Sequence, residues 1–214
     1  MAGTRRLGTE DSATRLALVD AARRLMLESG YAAVTSRKVA ARAGLKPQLV
    51  HYYFRTMDDL FLAVVRSGAE QNLERQRRAL AAPDPLRALW EFASDPAGAT
   101  MTMEFSALAN HRKAIRVELA AYAEQFRRLQ SEALAALLSG SGIDVDAFPP
   151  ETLAFVMTAI AQMLVLEETL GLATGHDRMR AAIEEFIARS DHARMTAADA
   201  SAPREAIASR PAGT

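Results

Sequence analysis

The residues whose types are suited to chemistry concentrate in one segment, residues 35–54, where basic, amide and aromatic side chains alternate with apolar ones. Arginine donates two parallel hydrogen bonds to guanine, and glutamine pairs with adenine or approaches a phosphate. Arg37 and Gln48 are of these two types, and Leu49 offers an apolar contact for a thymine methyl group. The residue types are therefore those that recognise bases in double-stranded DNA.

The same segment predicts two short helices joined by a tight turn. Thr35 or Ser36 can cap the first helix, Gly44 closes it, and Pro47 opens a second helix that reaches about Phe54. This is the helix-turn-helix layout, whose second helix can lie in the major groove. Hydroxyls and free amides at the start of the first helix suit phosphate oxygens.

The spacing of apolar residues separates an inner from an outer side of this pair of helices. The inner positions are Val39, Ala40, Ala43, Leu45, Val50 and Phe54, and the outer ones are Arg37, Lys38, Lys46, Gln48, His51 and Tyr52. A surface hairpin with solvated charges would show the same spacing. The charge distribution favours the nucleic-acid interpretation, because residues 1–70 hold 11 basic and 7 acidic side chains. The remaining residues hold 15 basic and 19 acidic side chains. The net charge of zero is therefore the sum of a basic N-terminal part and an acidic C-terminal part.

Composition excludes several other classes of protein. The 214 residues include no cysteine, which excludes a disulfide scaffold and a cysteine-ligated metal site. The start, Met1 to Thr14, has no apolar segment of the kind found in signal peptides. The longest stretch without charge is Thr152–Leu166, 15 residues, against about 20 needed to cross a bilayer. We therefore expect a cytoplasmic protein with no membrane partner.

Apolar residues recur at intervals of three and four along nearly the whole chain, which predicts an all-α fold of about nine helices. The pattern predicts a first helix ending at Gly30, a fourth from the capping signal at Thr56 to about Ala81, and a last from Asp177 to about Arg189. The longest helix follows His111 and carries a continuous apolar stripe. Its members are Ile115, Leu119, Tyr122, Phe126, Leu129, Ala133 and Leu137.

These elements divide the chain into four predicted regions. They are a disordered N-terminal arm (1–10), a helix-turn-helix DNA-binding domain (11–56), a ligand-binding and dimerisation domain (57–190) and a disordered tail (191–214).

The sequence resembles the N-terminal domain of the tetracycline-repressor (TetR) family. The resemblance is carried by residues 30–40, by Ala43-Gly44-Leu45 and by His51-Tyr52-Tyr53-Phe54, and it is detailed over roughly residues 14–62. It implies a homodimeric, ligand-responsive regulator, usually a repressor, with three N-terminal helices on DNA. The family's DNA-contacting positions fall on Thr35, Ser36, Arg37, Pro47, Gln48, Leu49, His51, Tyr52 and Tyr53.

The sequence departs from the family pattern at two of its positions. Lys46 stands where many members have serine or threonine, which weakens the cap of the second short helix but adds a charge for the DNA backbone. Met57 stands where many members have lysine, and Arg55 is the expected substitute. Lys46 and Arg55 therefore complete the predicted DNA-binding set.

A regulator of this kind needs a dimer interface and a ligand pocket, and the C-terminal half offers candidates for both. The helix that follows Pro149-Pro150 is apolar nearly all round, so we expect a pocket layer on one face and a second copy of the chain on the other. The predicted dimer residues are Phe155, Met163, Leu166, Met179, Ile183 and Phe186. The alternative is a central helix in a monomeric bundle.

Large or soft apolar residues mark the predicted pocket, which would take an apolar or amphipathic effector. They are Trp90, Met101, Phe105, Tyr122, Phe126 and Met157. Asn110, His111 and Gln162 are further polar candidates, although each fits a helix end or an interface equally well. Ordinary core packing is the competing interpretation for each residue.

Two other classes of function remain as alternatives. An all-α enzyme is disfavoured because His51, His111, His176 and His192 have no metal-ligand spacing, and no HExxH, phosphate-loop or GxSxG motif occurs. We accordingly expect no catalytic residue, no metal and no cofactor. A helical interaction module without DNA binding would not require the basic bias of residues 1–70. The expected partners are an operator in double-stranded DNA, a second copy of the chain and a small-molecule effector.

Overall fold

The computed structural model describes residues 12–139 and 149–201. Across these two ranges every regular element is helical, which confirms the all-α prediction. The predicted N-terminal arm and residues 202–214 of the predicted tail lie outside the described residues. In chain order the helices are α1 (Ala13–Ser29), α2 (Ser36–Arg42), α3 (Pro47–Tyr53), α4 (Met57–Leu80), α5 (Pro85–Ala93), α6 (Pro96–His111), α7 (Lys113–Leu138), α8 (Pro150–Thr169) and α9 (His176–Ser201).

Side-chain caps fix where the N-terminal helices begin. Thr35 accepts a hydrogen bond from the backbone N–H of Lys38 at 3.3 Å and so starts α2. Thr56 accepts from the N–H of Asp59 at 3.1 Å, while Asp59 accepts from the N–H of Thr56 at 2.9 Å. This reciprocal capping box confirms the start predicted for α4 and satisfies two amides that the helix itself leaves free.

Removing the cap of α4 is expected to destabilise the fold. Thr56→Ala deletes the oxygen that accepts from Asp59, which should lower the free energy of unfolding by about 1 kcal/mol. Urea denaturation followed by circular dichroism measures the change. Thr56→Ser keeps the hydroxyl and serves as the control, so equal stability of both variants would contradict a role for the cap.

The turn between α2 and α3 depends on Gly44. Its φ of +67° lies in the left-handed region, where a side chain is strained even though no other residue lies within 4 Å of the position that a β-carbon would take. The N–H of Leu45 then reaches back to the carbonyl of Ala40 at 2.9 Å. This closure sets the angle at which α3 leaves α2, and therefore what α3 presents to solvent.

Two clusters of buried side chains hold the molecule together. The first, which we call the head core, lies under α1–α4 and includes Leu18, Val39, Val50 and Phe54. The second lies among α5, α7, α8 and α9. Its members include Leu86, Trp90, Leu134, Leu153, Met157 and Ile187. The head core also contains Phe105 of α6 and Ile115 of α7, so the N-terminal helices share their interior with the rest of the chain.

Two helices differ from their predicted form. The last helix was predicted to end near Arg189, but α9 continues to Ser201, and its added turns include Ala193, Ala197, Ala198 and Ala200. Alanine has the highest helix propensity, which explains how this segment forms helix without an apolar period.

In α7 the deeply buried positions after Phe126 depart from the predicted stripe. They are Gln130, Leu134 and Leu138 rather than Leu129, Ala133 and Leu137. These positions recur every four residues, and α7 packs against α4, α6 and α8.

The α8 helix is long and apolar enough, by length and composition, to cross a membrane. The helix has 20 residues, whereas the uncharged stretch Thr152–Leu166 has 15. The helix is longer because it includes Glu151, Glu167 and Glu168 near its ends. Six of its residues are buried, and it packs against α5, α6 and α7. That packing accounts for the apolar character of one of its faces.

Candidate nucleic-acid interface and adjoining cavity

The helices α2 and α3 present most of the predicted DNA-contacting side chains to solvent. Val39, Ala40 and Val50 point into the head core and leave the other faces of the two helices outside. Eight residues of the predicted set are exposed: Thr35, Arg37, Lys46, Pro47, Gln48, His51, Tyr52 and Arg55. Ser36, Leu49 and Tyr53 are half-buried. The predicted contacts therefore lie on the surface of one helical pair and its flanks.

Four positive charges of this surface are not neutralised by any residue that the structure describes. Among the described residues, Arg37, Lys38, Lys46 and Arg55 form no ion pair. We call these four side chains the free cations. Arginines elsewhere in the same domain are paired: Arg23 and Arg24 with Asp20, and Arg42 with Glu28. The free cations therefore remain available to phosphate oxygens.

The two tyrosines at the end of α3 have different surroundings. Tyr53 packs against the head core, while Tyr52 is 40% exposed and meets the Tyr53 ring edge-on, with 5.0 Å between the ring centroids. The inner ring thus fixes the direction of the outer one. Lys46 provides no side-chain cap for α3, as predicted from its departure from the family pattern.

A cavity of about 330 Å³ lies among α4, α5, α6, α7 and α8. Large apolar and aromatic side chains form most of its wall, including Phe92, Met101, Phe105, Tyr122 and Phe126. Polar side chains also line it: Asn72, Arg75, Asp95, Thr102, Ser106, Arg127, Gln130, Thr158 and Gln162. Its size and mixed lining are typical of small-molecule sites.

Four of the six predicted pocket residues line this cavity: Met101, Phe105, Tyr122 and Phe126. The other two predictions require correction, because Trp90 and Met157 are 5% and 2% exposed and lie in the second core cluster. Helical geometry explains the difference, since neighbouring positions on a helix point in different directions. Phe92 of α5 and Thr158 of α8 face the cavity instead.

Aromatic rings are packed together along one side of the cavity. Phe92 stacks on Phe126 at 5.7 Å, and Tyr122 lies 6.0 Å from Phe126. Burial raises the pKa of the Tyr122 hydroxyl above its ordinary value, and a hydrogen bond from Asn72 and the charge of Arg75 only partly offset this. The hydroxyl is therefore protonated at neutral pH and acts as a neutral donor or acceptor.

Apolar side chains also remain exposed on α8 and α9. Phe155 is 58% exposed, Met163 52% and Met179 40%. Leu166 is half-buried, and Ile183 and Phe186 pack partly against the second core cluster. Of the predicted dimer residues, Phe155, Met163 and Met179 are therefore the most exposed.

Comparison with known sequences places the N-terminal helices in a family. The sequence model for bacterial regulatory proteins of the tetR family matches residues 18–64, which run from α1 into α4. The chain carries the tetR-family domain. A relative, the HTH-type transcriptional regulator BetI of Rhizobium meliloti (strain 1021), is 45% identical over 53 residues. The matched stretch spans 25% of this chain and 26% of that regulator.

Solved structures extend the similarity in fold well beyond the tetR-family domain. A Rhodococcus sp. protein described as a TetR-family transcriptional regulator has a TM-score of 0.65 at 18% identity, covering 86% of this chain and 100% of its own. A Saccharomonospora viridis protein described as a transcriptional regulator, solved with choline, has a TM-score of 0.66 at 18% identity and covers 86% and 93%. The fatty acid degradation regulator FadR of Bacillus halodurans has a TM-score of 0.60 at 15% identity, covering 92% and 100%.

Sequence patterns did not single out several polar residues of the cavity next to the tetR-family domain. Asn72, Arg75, Asp95, Arg127 and Gln130 have polar or charged side chains on helices where such residues are ordinarily solvated. The sequence could have pointed to Gln130 as a cavity residue, because it lies one turn after Phe126 on the apolar side of α7. Gln162, which was predicted from the sequence as a polar candidate for the pocket, lines the cavity.

Proposed function

We propose that the chain is a transcriptional regulator that binds an operator in double-stranded DNA through α2 and α3. The observation that carries this proposal is the set of free cations, which lies on the DNA-binding motif of a tetR-family domain. Arg37 and Gln48 would contact base edges, and Lys46 and Arg55 would contact phosphates. The domain boundary between residues 56 and 57 belongs to this proposal, because the cap at Thr56 separates α3 from α4.

The regulator is proposed to act as a homodimer on a roughly palindromic operator. The exposed apolar side chains of α8 and α9 would pair across a two-fold axis and so cover Phe155, Met163 and Met179. Two copies of α3 would then enter successive major grooves, about one turn of DNA apart. Because members of the TetR family are usually cytoplasmic repressors, we place the protein in the cytoplasm and propose that it represses transcription. We assign it no catalytic role.

A small molecule in the cavity is proposed to release the DNA. The S. viridis neighbour, which is similar in fold, was solved in complex with choline, and this supports a small-molecule ligand for a protein of this fold. The ligand must bind the DNA-incompetent arrangement better, by about 1.4 kcal/mol for each tenfold loss of operator affinity. The long helix α4 links the two halves and would carry the change.

A direct contact gives α6 a second route to the DNA-binding helices. Met101, Thr102 and Phe105 of α6 line the cavity, while Glu104 accepts a hydrogen bond from the backbone N–H of Tyr31 at 2.6 Å. Tyr31 begins the short turn that leads into α2. Gly30 beside it has a φ of +76°, and a β-carbon there would lie 3.4 Å from the Glu104 carboxylate. A movement of α6 around a ligand would therefore shift the turn that leads into α2.

The proposal is tested by gel retardation with the DNA upstream of the gene as probe and unrelated DNA of equal length as competitor. Specific retention of the probe by the full chain supports it. Equal retention of both DNAs would overturn it.

Salt provides a second, quantitative test. Contacts to phosphates release counterions, so the logarithm of the association constant should fall steeply as the logarithm of salt concentration rises. Lys46→Ala removes one predicted phosphate contact from each protomer and should lower the magnitude of the slope by about 2 for a dimer. Arg23→Ala, a paired cation on α1, should leave the slope unchanged. A flat salt response in the unaltered protein would contradict DNA binding through these cations.

A further inference from the structure

We infer that the cavity binds an amphipathic carboxylate and discriminates against organic cations. The inference rests on the proposed function, because it names the chemical class of the effector. It follows from which charges in the wall are already paired and which are not.

The acidic group in the wall is fully engaged. Asp95 accepts a hydrogen bond from the backbone N–H of Ala97 at 3.2 Å through one oxygen. Its other oxygen accepts from Arg75 at 2.9 Å. These contacts cap α6 and neutralise Arg75, so a ligand cation would have to break an existing ion pair to use Asp95.

The aromatic side of the cavity is also occupied by a cation from the chain itself. The guanidinium of Arg75 lies over the Phe92 ring, 5.1 Å from its centroid, and Phe92 stacks on Phe126. A quaternary ammonium ion binds aromatic faces by the same attraction. A ligand of that type would compete with Arg75 and meet its positive charge.

Arg127 supplies the positive charge that the wall leaves unbalanced. It is half-buried, and no carboxylate pairs with it within the described ranges 12–139 and 149–201. Its guanidinium lies 5.0 Å from the centroid of Phe155, and its Nη1 is shielded from solvent with no hydrogen-bond acceptor. A shielded charged donor without an acceptor is costly, and an anion in the cavity would relieve that cost after a small rotation of the side chain.

Gln130 lies on the same face of α7, three residues after Arg127. Its side chain lines the cavity and is only 3% exposed. Arg127 and Gln130 together offer donors to one carboxylate, and the aromatic wall accepts the apolar remainder of the ligand.

Three probes of matched shape test the inference: phenylbutyrate, phenylbutyramide and phenylbutylamine. Isothermal titration of the full chain measures each affinity, and the fluorescence of Trp90, the single tryptophan, reports binding independently. The carboxylate should bind most tightly and the amine most weakly. Choline should behave like the amine.

Variants of α7 separate charge recognition from general damage. Arg127→Gln should weaken binding of the carboxylate about tenfold or more and that of the amide much less, because the lost guanidinium charge attracts only the carboxylate. Arg127→Lys should retain the preference for the carboxylate. Arg128→Gln removes a neighbouring exposed charge that does not line the cavity and should change neither affinity. Thermal unfolding and light scattering confirm that each variant is folded and has the oligomeric state of the parent.

Several results would overturn the inference. They are tighter binding of the amine or of choline, an Arg127→Gln variant with an unchanged ratio of carboxylate to amide affinity, or no binding of any probe. Operator retention is measured separately on the ligand-free protein. Loss of the charge preference with specific retention intact would refute the ligand class alone, whereas a carboxylate preference without specific retention would refute the regulator.

Discussion

Replacing Arg37 with alanine is expected to weaken specific operator binding at least about tenfold. Arg37 is exposed on α2 and forms no ion pair with any described residue, so its guanidinium is free to donate two hydrogen bonds to a guanine. Such a contact contributes about 1–3 kcal/mol to base discrimination, and a dimer would lose two of them. Fluorescence anisotropy with labelled operator and with scrambled DNA measures the specific and the nonspecific affinity separately.

The matched control for this prediction is Arg24→Ala. Arg24 is also an exposed arginine of the same domain, but it lies on α1 and is paired with Asp20. Its loss should leave operator affinity within about twofold of the parent. Equal effects of the two substitutions would contradict the assignment of Arg37, and circular dichroism excludes unfolding as the cause. Tyr52→Ala, which removes an exposed ring held by Tyr53, should reproduce the loss seen for Arg37→Ala.

Replacing Met163 with glutamate is expected to dissociate the dimer. Met163 is 52% exposed on α8, so the subunit has room for a charged side chain of similar length. In a two-fold dimer the substitution would bury two carboxylates, at a cost of about 3 kcal/mol or more. This corresponds to more than about a hundredfold rise in the dimer Kd. Size-exclusion chromatography with light scattering measures the change, and operator binding should fall with it.

Val117→Glu is the control, because Val117 is 62% exposed on α7, outside the predicted dimer surface. It should leave the dimer intact. A normal dimer in Met163→Glu would remove this residue from the interface. Phe186→Glu is a less specific test, because Phe186 also packs against the second core cluster and its loss would destabilise the subunit.

The DNA-binding helices could be predicted in detail because their determinants are local. The hydroxyls of Thr35 and Thr56 cap amides within three residues, and Gly44 takes its left-handed conformation whatever packs around it. Pro47 occupies the first turn of α3, where its missing N–H costs nothing. Each of these effects is readable over a window of a few residues, so the helix starts in this region match the prediction.

The cavity could be predicted only in part because its lining depends on how whole helices are rotated against one another. Apolar composition marked both Trp90 and Phe105, yet only Phe105 faces the cavity. A sequence also does not show which charges will pair across the fold. The bond between Arg75 and Asp95, 20 residues apart, is a property of the folded chain, and so is the lack of such a partner for Arg127 among residues 12–139 and 149–201.

The carboxylate of Glu104 has a consequence for the exchange of domains between regulators. The backbone N–H of Tyr31 belongs to the head, but the oxygen that accepts its hydrogen bond belongs to α6, 73 residues away. Arg112 pairs with Asp58 in the first turn of α4, immediately after the boundary between residues 56 and 57. A chimera that grafts residues 12–56 onto a foreign body would leave the Tyr31 amide without its acceptor. The part that can be exchanged intact is therefore residues 12–56 together with the surface of α6 that contacts them. A boundary drawn between two helices in the sequence does not separate two independent parts.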